Sequence, residues 1–273
     1  MLKTRVLTAI VLLVVFVPVT LYAPASAFGA LIGLVLILAA WEWGRLLALP
    51  RVAAYGYAAL AAVALLASLR IAPGLRGARP LWEAAAIFWV LAGPFALARK
   101  PQLAHGAWRV FLALAGLVVF VACWHALVLA RTIGVAFVLS VLIVVWLADI
   151  GAYFSGKAFG RHKLALTISP GKTWEGAVGG WLAVLVVGGA AMMTEAFAPT
   201  LFSALLAKLG GVRALVALTG LVAFSVVGDL FESLLKRQAG VKDSSALLPG
   251  HGGVLDRIDA LLPVLPLVML LVA

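Results

Sequence analysis

The chain has 273 residues, of which 65% are hydrophobic and only 11% are charged, and its mean hydropathy is +1.18. Soluble domains contain about 25% charged and about 45–50% apolar residues, so this composition excludes a soluble enzyme, a secreted disulfide scaffold and a disordered tail. The single cysteine, Cys123, cannot form an internal disulfide, and the chain is predicted to be an all-α, polytopic integral membrane protein.

Nine apolar segments are candidate membrane spans, because a bilayer core requires about 20 apolar residues per helix. The ninth is the least typical, since Asp256, Arg257 and Asp259 occupy its first turn. Within the seventh, the Gly176-x-x-x-Gly180 pattern indicates close helix packing. In chain order the segments cover residues 6–23, 28–49, 52–69, 81–98, 110–130, 133–150, 176–197, 212–230 and 255–273.

The first segment also has features of a secretory signal peptide. Lys3 and Arg5 form a basic start, and Ala25-Ser26-Ala27 resembles a cleavage site. The apolar stretch is long for a signal peptide, and a second span follows almost at once, which favours an uncleaved first helix. Both interpretations leave the topology of the remaining chain unchanged.

The net charge of +11 has two possible uses, as a topology signal or as a binding site for anionic substrates and lipid headgroups. No long basic run with interleaved aromatic residues is present, so nucleic acid is not an expected partner. With the N-terminus in the cytosol, fifteen of the 21 Lys and Arg residues fall on the cytosolic side and six on the other. This bias predicts a cytosolic N-terminus and, with nine spans, an outer C-terminus.

Two long polar segments, residues 151–175 and 231–254, fall on the predicted cytosolic side. We therefore divide the chain into a scaffold of N-terminal helices (1–130) and a catalytic membrane region with cytosolic loops (131–273). Seven of the ten acidic residues lie in or beside these two segments: Asp149, Glu175, Asp229, Glu232, Asp243, Asp256 and Asp259.

Asp149 and Asp229 end the sixth and eighth predicted spans. A carboxylate at the bilayer centre costs about 2.5 kcal/mol or more, and less near the surface, so such residues usually face a partner, a metal or a water-filled cavity. For Asp149 a solvated helix end is the alternative. On a continuing helix, five polar residues would form one stripe: Asp229, Glu232, Ser233, Lys236 and Arg237.

A glycine-rich segment, Pro249-Gly-His251-Gly-Gly253, precedes two further carboxylates. Glycines let a backbone approach a phosphate closely. Asp256 and Asp259 are three residues apart, so a helix beginning here would place both on one face. Together with Asp229 they would supply oxygen ligands for Mg²⁺ bound jointly with substrate phosphates, which points to phosphoryl or nucleotidyl transfer.

A second polar segment contains Gly171-Lys172-Thr173, which invites comparison with a phosphate-binding P-loop. That motif requires a glycine where this chain has Leu166, and no strand is predicted before it. We therefore reject the P-loop. We expect Ser169 or Thr173 to cap the seventh span, while Lys172 faces an anion or serves as a topology residue.

The run from Ser233 to Asp259 resembles the signature of phosphatidate cytidylyltransferases, also called CDP-diacylglycerol synthases. The matching positions are Ser233, Lys236, Arg237, Lys242, Asp243, Pro249, His251, Gly252, Gly253, Asp256, Arg257 and Asp259. The segment from Asp149 to Gly176 resembles a second stretch of that family. The N-terminal spans agree only in being hydrophobic.

The resemblance implies a reaction of CTP with phosphatidate that yields CDP-diacylglycerol and pyrophosphate and uses Mg²⁺. It also implies a multi-pass protein of the inner (cytoplasmic) membrane, with its active site facing the cytosol, and it indicates a homodimer. Whether a second cation accompanies Mg²⁺ is left open by the sequence.

The resemblance also implies residue roles. Asp229 and Asp256 would bind metal, with Asp259 in support, and Asp243 would orient a neighbouring lysine. Lys236, Arg237, Lys242 and Arg257 would hold phosphates, and His251 would contact the triphosphate or the cytidine. Gly252 and Gly253 would admit the nucleotide, while Lys172, Ser169 and Asp149 would line the opposite wall.

Three other functions compete with this assignment. A transporter would place ionisable residues near the midplane of paired halves, whereas here they lie at predicted cytosolic ends. A CTP-dependent lipid or polyprenol kinase would transfer the γ-phosphate and release CDP. A CDP-alcohol phosphotransferase is disfavoured because its Asp-Gly-x-x-Ala-Arg motif is absent.

Overall fold

The structure is a computed structural model that describes residues 2–71, 74–194 and 196–272. It is 79% helical. Ala273, the end of the ninth predicted span, lies outside the described residues. The helices are α1 (Leu2–Tyr22), α2 (Ala25–Leu46), α3 (Arg51–Ile71), α4 (Gly74–Ile87), α5 (Gly93–Arg99), α6 (Gly106–Ile133), α7 (Val135–Phe159), α8 (Trp174–Met192), α9 (Leu201–Leu209), α10 (Gly211–Gln238) and α11 (Leu261–Val272).

The prediction of an all-α, polytopic membrane protein is confirmed. Within the described ranges, eight helical segments are long and apolar enough to cross a membrane: Lys3–Tyr22, Ala25–Leu46, Arg51–Arg70, Gly77–Arg99, Gly106–Ile133, Val135–Phe159, Trp174–Met192 and Gly211–Gln238. The ninth predicted span is shorter than expected. A 3₁₀ turn at Leu255–Arg257 precedes it, and α11 has 12 residues.

Two helices extend well beyond the predicted spans. α7 continues ten residues past Asp149 to Phe159, and α10 continues nine past Asp229 to Gln238. Apolar length locates the bilayer, whereas a helix ends only where its backbone hydrogen bonds end. Both carboxylates therefore lie inside helices rather than at their ends, and the predicted stripe from Asp229 to Arg237 is on a continuous helix.

The fourth span is interrupted by a π-helical turn at Phe88–Ala92, between α4 and α5. Pro94 lies in the first turn of α5. Proline has no backbone N–H, so Pro94 cannot donate the α-helical hydrogen bond to the residue four positions earlier. α4 packs against α6 and α11, whereas α5 packs against α10. At Gly93 a Cβ atom would lie 3.0 Å from Val227 Cγ1, so the turn and α10 are in close contact.

A short antiparallel hairpin joins α7 to α8, in a segment where no strand was predicted. Strands β1 (Lys163–Ala165) and β2 (Ser169–Thr173) pair Lys163 with Thr173 and Ala165 with Ser169. Thr173 is the N-cap of α8, and its Oγ1 accepts a hydrogen bond from Gly176 N at 3.1 Å. The prediction that Ser169 or Thr173 caps this span is therefore confirmed for Thr173.

α7 and α8 form the most extensive helix pair of the bundle. Their contact depends on glycines, because a Cβ atom at Gly176 would lie 2.8 Å from Ala152 O, and one at Gly180 would overlap the Ala148 carbonyl. The predicted role of the Gly176-x-x-x-Gly180 pattern is confirmed. Small residues let the two backbones approach closely within the bilayer.

Substitution at Gly180 should separate this helix pair. We expect Gly180→Ala to lower stability by about 1–3 kcal/mol, because the new methyl group overlaps the Ala148 carbonyl. The matched control is Gly189→Ala on the same helix, where a Cβ atom would meet nothing within 4 Å. Thermal unfolding in detergent compares the two variants, and equal midpoints would contradict the packing argument.

Candidate functional site

A cavity of about 430 Å³ lies between α7, α8 and α10 and is lined by four charged side chains. Asp149 and Lys157 reach it from α7, Asp229 from α10, and Lys172 from β2. Its walls elsewhere are small or apolar: Ala148, Ala152, Tyr153, Gly156, Leu164, Gly171, Thr173, Gly176, Ala177, Gly180, Val222 and Val226.

Asp149, Lys172 and Asp229 form the charged centre of this cavity. Lys172 Nζ contacts Asp229 Oδ2, and the two side chains are 27% and 29% exposed. The Asp149 carboxylate is repelled by Asp229 and attracted by Lys172. Asp149 and Asp229, which are 80 positions apart in the sequence, thus lie in one cavity. Lys172 faces an anion, as expected, and in this structure that anion is the Asp229 carboxylate.

The Asp149–Asp229 pair fits a divalent cation. Carboxylate oxygens are the ligands that Mg²⁺ prefers, and Mg²⁺ commonly takes one or two of them together with substrate phosphates. The negative charges of Asp149 and Asp229 repel each other, and the positive charge of the Lys172 ammonium offsets that repulsion. No group of three or more Asp, Glu, His or Cys side chains in the described part of the chain is arranged to hold a metal.

Asp256 lies in a separate, buried ion cluster. Lys236 Nζ lies 2.6 Å from both Glu232 Oε2 and Asp256 Oδ1. The side chains of Glu232, Lys236 and Asp256 are 2%, 12% and 5% exposed. Lys236 therefore links α10 to the segment before α11, and its predicted contact with substrate phosphate stays a prediction.

Both oxygens of the Asp256 carboxylate accept hydrogen bonds. Oδ1 accepts from Lys236 Nζ, and Oδ2 accepts from Ser244 N at 2.9 Å, Ser244 Oγ at 2.9 Å and Gly253 N at 2.7 Å. Burial raises the pKa of Asp256, but these donors outweigh it and hold the pKa below its usual value. A metal at Asp256, as predicted from sequence, would have to replace some of these donors.

Asp259, the third predicted metal ligand, is partly buried. Burial and then the negative charge of Asp229 raise its pKa to about 7. Its Oδ1 accepts a hydrogen bond from Ala260 N at 2.8 Å. The backbone of Asp259 also packs on Gly228, where a Cβ atom would lie 2.5 Å from Asp259 O. Metal binding by Asp259 stays a prediction.

The glycine-rich segment forms a tight turn around Asp256. Leu248 and Gly252 form an isolated antiparallel bridge, and Gly250 and Gly252 adopt φ values of +77° and +83° that disfavour other residues. A Cβ atom at Gly252 would lie 2.8 Å from Asp256 Oδ2. These glycines have a packing role here, and their contact with nucleotide stays a prediction.

The remaining predicted residues surround these groups. Arg257 donates to His251 O at 2.6 Å, and Arg237 Nε donates to Ile168 O at 3.1 Å next to the hairpin. His251 Nδ1 is buried with no hydrogen-bond partner in the described structure. Ser169 lies in β2, while Lys242 and Asp243 are exposed.

Sequence reasoning missed Glu42, a residue of α2. It is fully buried and accepts hydrogen bonds from the segment that carries Asp256. A carboxylate inside an apolar span is a candidate functional residue on its position alone. That signal was present in the sequence, because Glu42 lies inside the second predicted span.

Comparison with known proteins gives a family for this arrangement. The sequence model of the cytidylyltransferase family matches residues 3–273. A phosphatidate cytidylyltransferase of Pseudomonas aeruginosa is 43% identical over 272 residues, which cover 97% of this chain and 95% of that protein. Proteins of the same name from Haemophilus influenzae and Brucella suis are 50% and 51% identical over 49% and 43% of this chain, and over 44% and 40% of their own lengths.

Removal of the Lys236 charge should leave two buried carboxyl groups without a balancing positive charge. We expect Lys236→Met to destabilise the protein by about 3–5 kcal/mol, and Lys236→Met combined with Glu232→Gln to recover part of that loss. Thermal unfolding in detergent measures both variants, with Lys163→Met at an exposed position of β1 as the control. A wild-type midpoint for Lys236→Met would contradict the structural role of the cluster.

Asp259 should make stability depend on pH. Because its folded pKa of about 7 exceeds the usual 3.8, the folded state retains a proton that the unfolded state releases. This contribution to stability is fully present below pH 4 and is lost as the pH rises towards 7. Relative to wild type, Asp259→Asn should therefore gain about 1.4 kcal/mol per pH unit across that range.

Thermal unfolding of both proteins at several pH values, with a chelator present, measures this difference. A constant difference between wild type and Asp259→Asn from pH 4 to 7 would show that the carboxyl group does not titrate in this range.

Proposed function

The chain belongs to the cytidylyltransferase family, and we propose that it transfers a cytidylyl group from CTP to phosphatidate, giving CDP-diacylglycerol and pyrophosphate. The observation that carries this proposal is the match over 97% of the chain to a protein named phosphatidate cytidylyltransferase. The charged cavity between membrane helices supports it, because the reaction must bring two anions together beside a lipid bilayer.

A further cavity, beside the first, supports a lipid substrate. An apolar groove of about 330 Å³ adjoins the charged cavity and shares Leu164, Ala177, Val222 and Val226 with it. Trp174, Val178, Trp181, Thr219 and Ala223 complete the groove. A molecule with a phosphate headgroup and acyl chains could place its charge near Lys172 and a chain in the groove.

In this reaction a phosphate oxygen of phosphatidate attacks the α-phosphorus of CTP. A new P–O bond forms, the bond from the α-phosphorus to the oxygen of the β-phosphate breaks, and pyrophosphate leaves. The attacking group is already an oxyanion, so no strong general base is required. The protein must instead position two anions that repel each other and stabilise the charge on the leaving group.

The residues of the charged cavity suit that task. Lys172 would exchange its contact with Asp229 for a substrate phosphate, and Lys157 supplies a second positive charge in the same cavity. Mg²⁺ bound by Asp229, with Asp149 nearby, would neutralise phosphate charge. The predicted phosphate contacts of Arg237, Lys242 and Arg257, and that of the buried His251 Nδ1 with nucleotide, belong to this proposal.

The position in the cell is part of the proposal. The chain is a multi-pass membrane protein with bacterial relatives. The excess of Lys and Arg on one side supports an inner-membrane protein with a cytosolic N-terminus and a cytosolic active site. A homodimer is the proposed assembly.

CTP labelled at different phosphates distinguishes this function from its rivals. Purified protein with phosphatidate and Mg²⁺ should transfer label from [α-³²P]CTP, but not from [γ-³²P]CTP, into the lipid fraction and release one pyrophosphate per lipid labelled. A CTP-dependent kinase would give the reverse labelling. If neither labelled CTP transfers label into the lipid fraction, the proposal is contradicted.

Asp229 should be essential for this transfer. We expect Asp229→Asn to lower kcat/KM by at least about 100-fold, since the carboxylate that would hold Mg²⁺ beside the reacting phosphates is lost. Glu83→Gln is the control, because Glu83 is exposed and pairs with Arg79 at 2.9 Å, away from the cavity lining. Near-normal lipid labelling by Asp229→Asn would rule out its proposed role.

A further inference from the structure

Four hydrogen-bond donors of one distant segment surround the carboxylate of Glu42, a residue of α2. Glu42 is 0% exposed, so water cannot take the place of these donors. Oε1 accepts from Ser245 Oγ at 2.5 Å and from Val254 N at 3.0 Å. Oε2 accepts from Leu255 N at 2.5 Å and lies 3.1 Å from Ser244 Oγ, whose single hydrogen is shared with Asp256 Oδ2. The donors lie more than 200 residues further along the chain, on both sides of the glycine-rich turn.

We infer that Glu42 is a positioning residue that fixes residues 244–257 against α2 and thereby sets the orientation of Asp256 and Arg257. This inference rests on the proposed function, because its consequence is a change in cytidylyl transfer. It concerns a residue of the predicted N-terminal scaffold, to which sequence analysis assigned no part in the reaction.

The two backbone amides show how Glu42 acts. Val254 N and Leu255 N lie at the start of the 3₁₀ turn Leu255–Arg257, where backbone N–H groups have no partner within the turn. The Glu42 carboxylate satisfies both of them, as an N-cap side chain does for an ordinary helix. Because Asp256 is the next residue, this cap determines where its carboxylate points.

Ser244 extends the connection from Glu42 to Asp256. Its Oγ lies 3.1 Å from Glu42 Oε2 and 2.9 Å from Asp256 Oδ2, and its backbone N donates to the same Asp256 oxygen. Asp256 in turn contacts Lys236 of α10. A continuous series of polar contacts therefore runs from α2 to α10 through residues 244–256.

Gly253 shows how closely these parts fit. A Cβ atom there would overlap Ser244 Oγ and the Glu42 carboxylate. The segment can approach Glu42 only because this position has no side chain, so the contact is built into the turn rather than added to its surface.

The variant Glu42→Gln tests the inference. An amide has one oxygen and one NH₂ group, and each Glu42 oxygen accepts from a backbone N–H, so either orientation leaves one buried N–H without an acceptor. We expect kcat/KM for cytidylyl transfer to fall about tenfold or more, and the amides of residues 253–256 to exchange hydrogen about tenfold faster or more.

Two further variants separate positioning from packing. Glu42→Asp is smaller but retains both acceptor oxygens, so positioning predicts more activity for Asp than for Gln, whereas a packing role predicts the reverse. Glu83→Gln is the matched control, which should change neither turnover nor exchange. Ser245→Ala removes one donor and should give a smaller loss than Glu42→Gln; it replaces that variant if Glu42→Gln cannot be purified folded.

The inference is overturned if Glu42→Gln, or Ser245→Ala in its place, shows the hydrogen-exchange rates and turnover of wild type. It is also overturned if hydrogen exchange rises equally throughout α2 and α10, or if Glu42→Gln retains more activity than Glu42→Asp. It is supported if the faster exchange is confined to residues 244–257 and turnover falls with it. Hydrogen exchange does not depend on turnover, so a wild-type protein without cytidylyl transfer contradicts the proposed function separately.

Discussion

The Lys236 ammonium, placed between the carboxylates of Glu232 and Asp256, is the contact on which the polar part of this molecule depends. All three side chains are almost wholly removed from solvent, and the buried Lys236 charge is tolerable only because the two carboxyl groups surround it. The contact joins the long helix α10 to the turn before α11. Through Ser244 and Glu42 it also joins the first half of the chain to the second.

The fold was predictable because membrane helices are specified by apolar length, a property of local sequence. That rule located the eight long helices but not the ends of α7 and α10, since helices continue into polar sequence. It also missed the π-helical turn, which ends just before Gly93 and Pro94 and leaves the apolar length of the span unchanged. The hairpin was missed because strands of three and five residues carry little periodic signal.

The site was predictable in composition but not in arrangement. Sequence singled out Asp149, Lys172 and Asp229, which line one cavity. It also grouped Asp229 with Asp256 as ligands of one ion, which stays a prediction, and it gave no sign that Lys236, Ser244 and Gly253 surround Asp256. Whether a carboxylate faces a cavity or a lysine depends on contacts between distant segments, which spacing along the chain does not encode.

The π-helical turn at Phe88–Ala92 has a consequence for how the fourth span can vary. Each residue advances an α-helix by 100°. One additional residue in a turn therefore rotates the helix after the turn relative to the helix before it. α4 can therefore face α6 and α11 while α5 faces α10. A single-residue deletion in this turn would restore a regular helix but rotate α5 away from the helix that carries Asp229, so this stretch should tolerate exchange of side chains far better than a change in length.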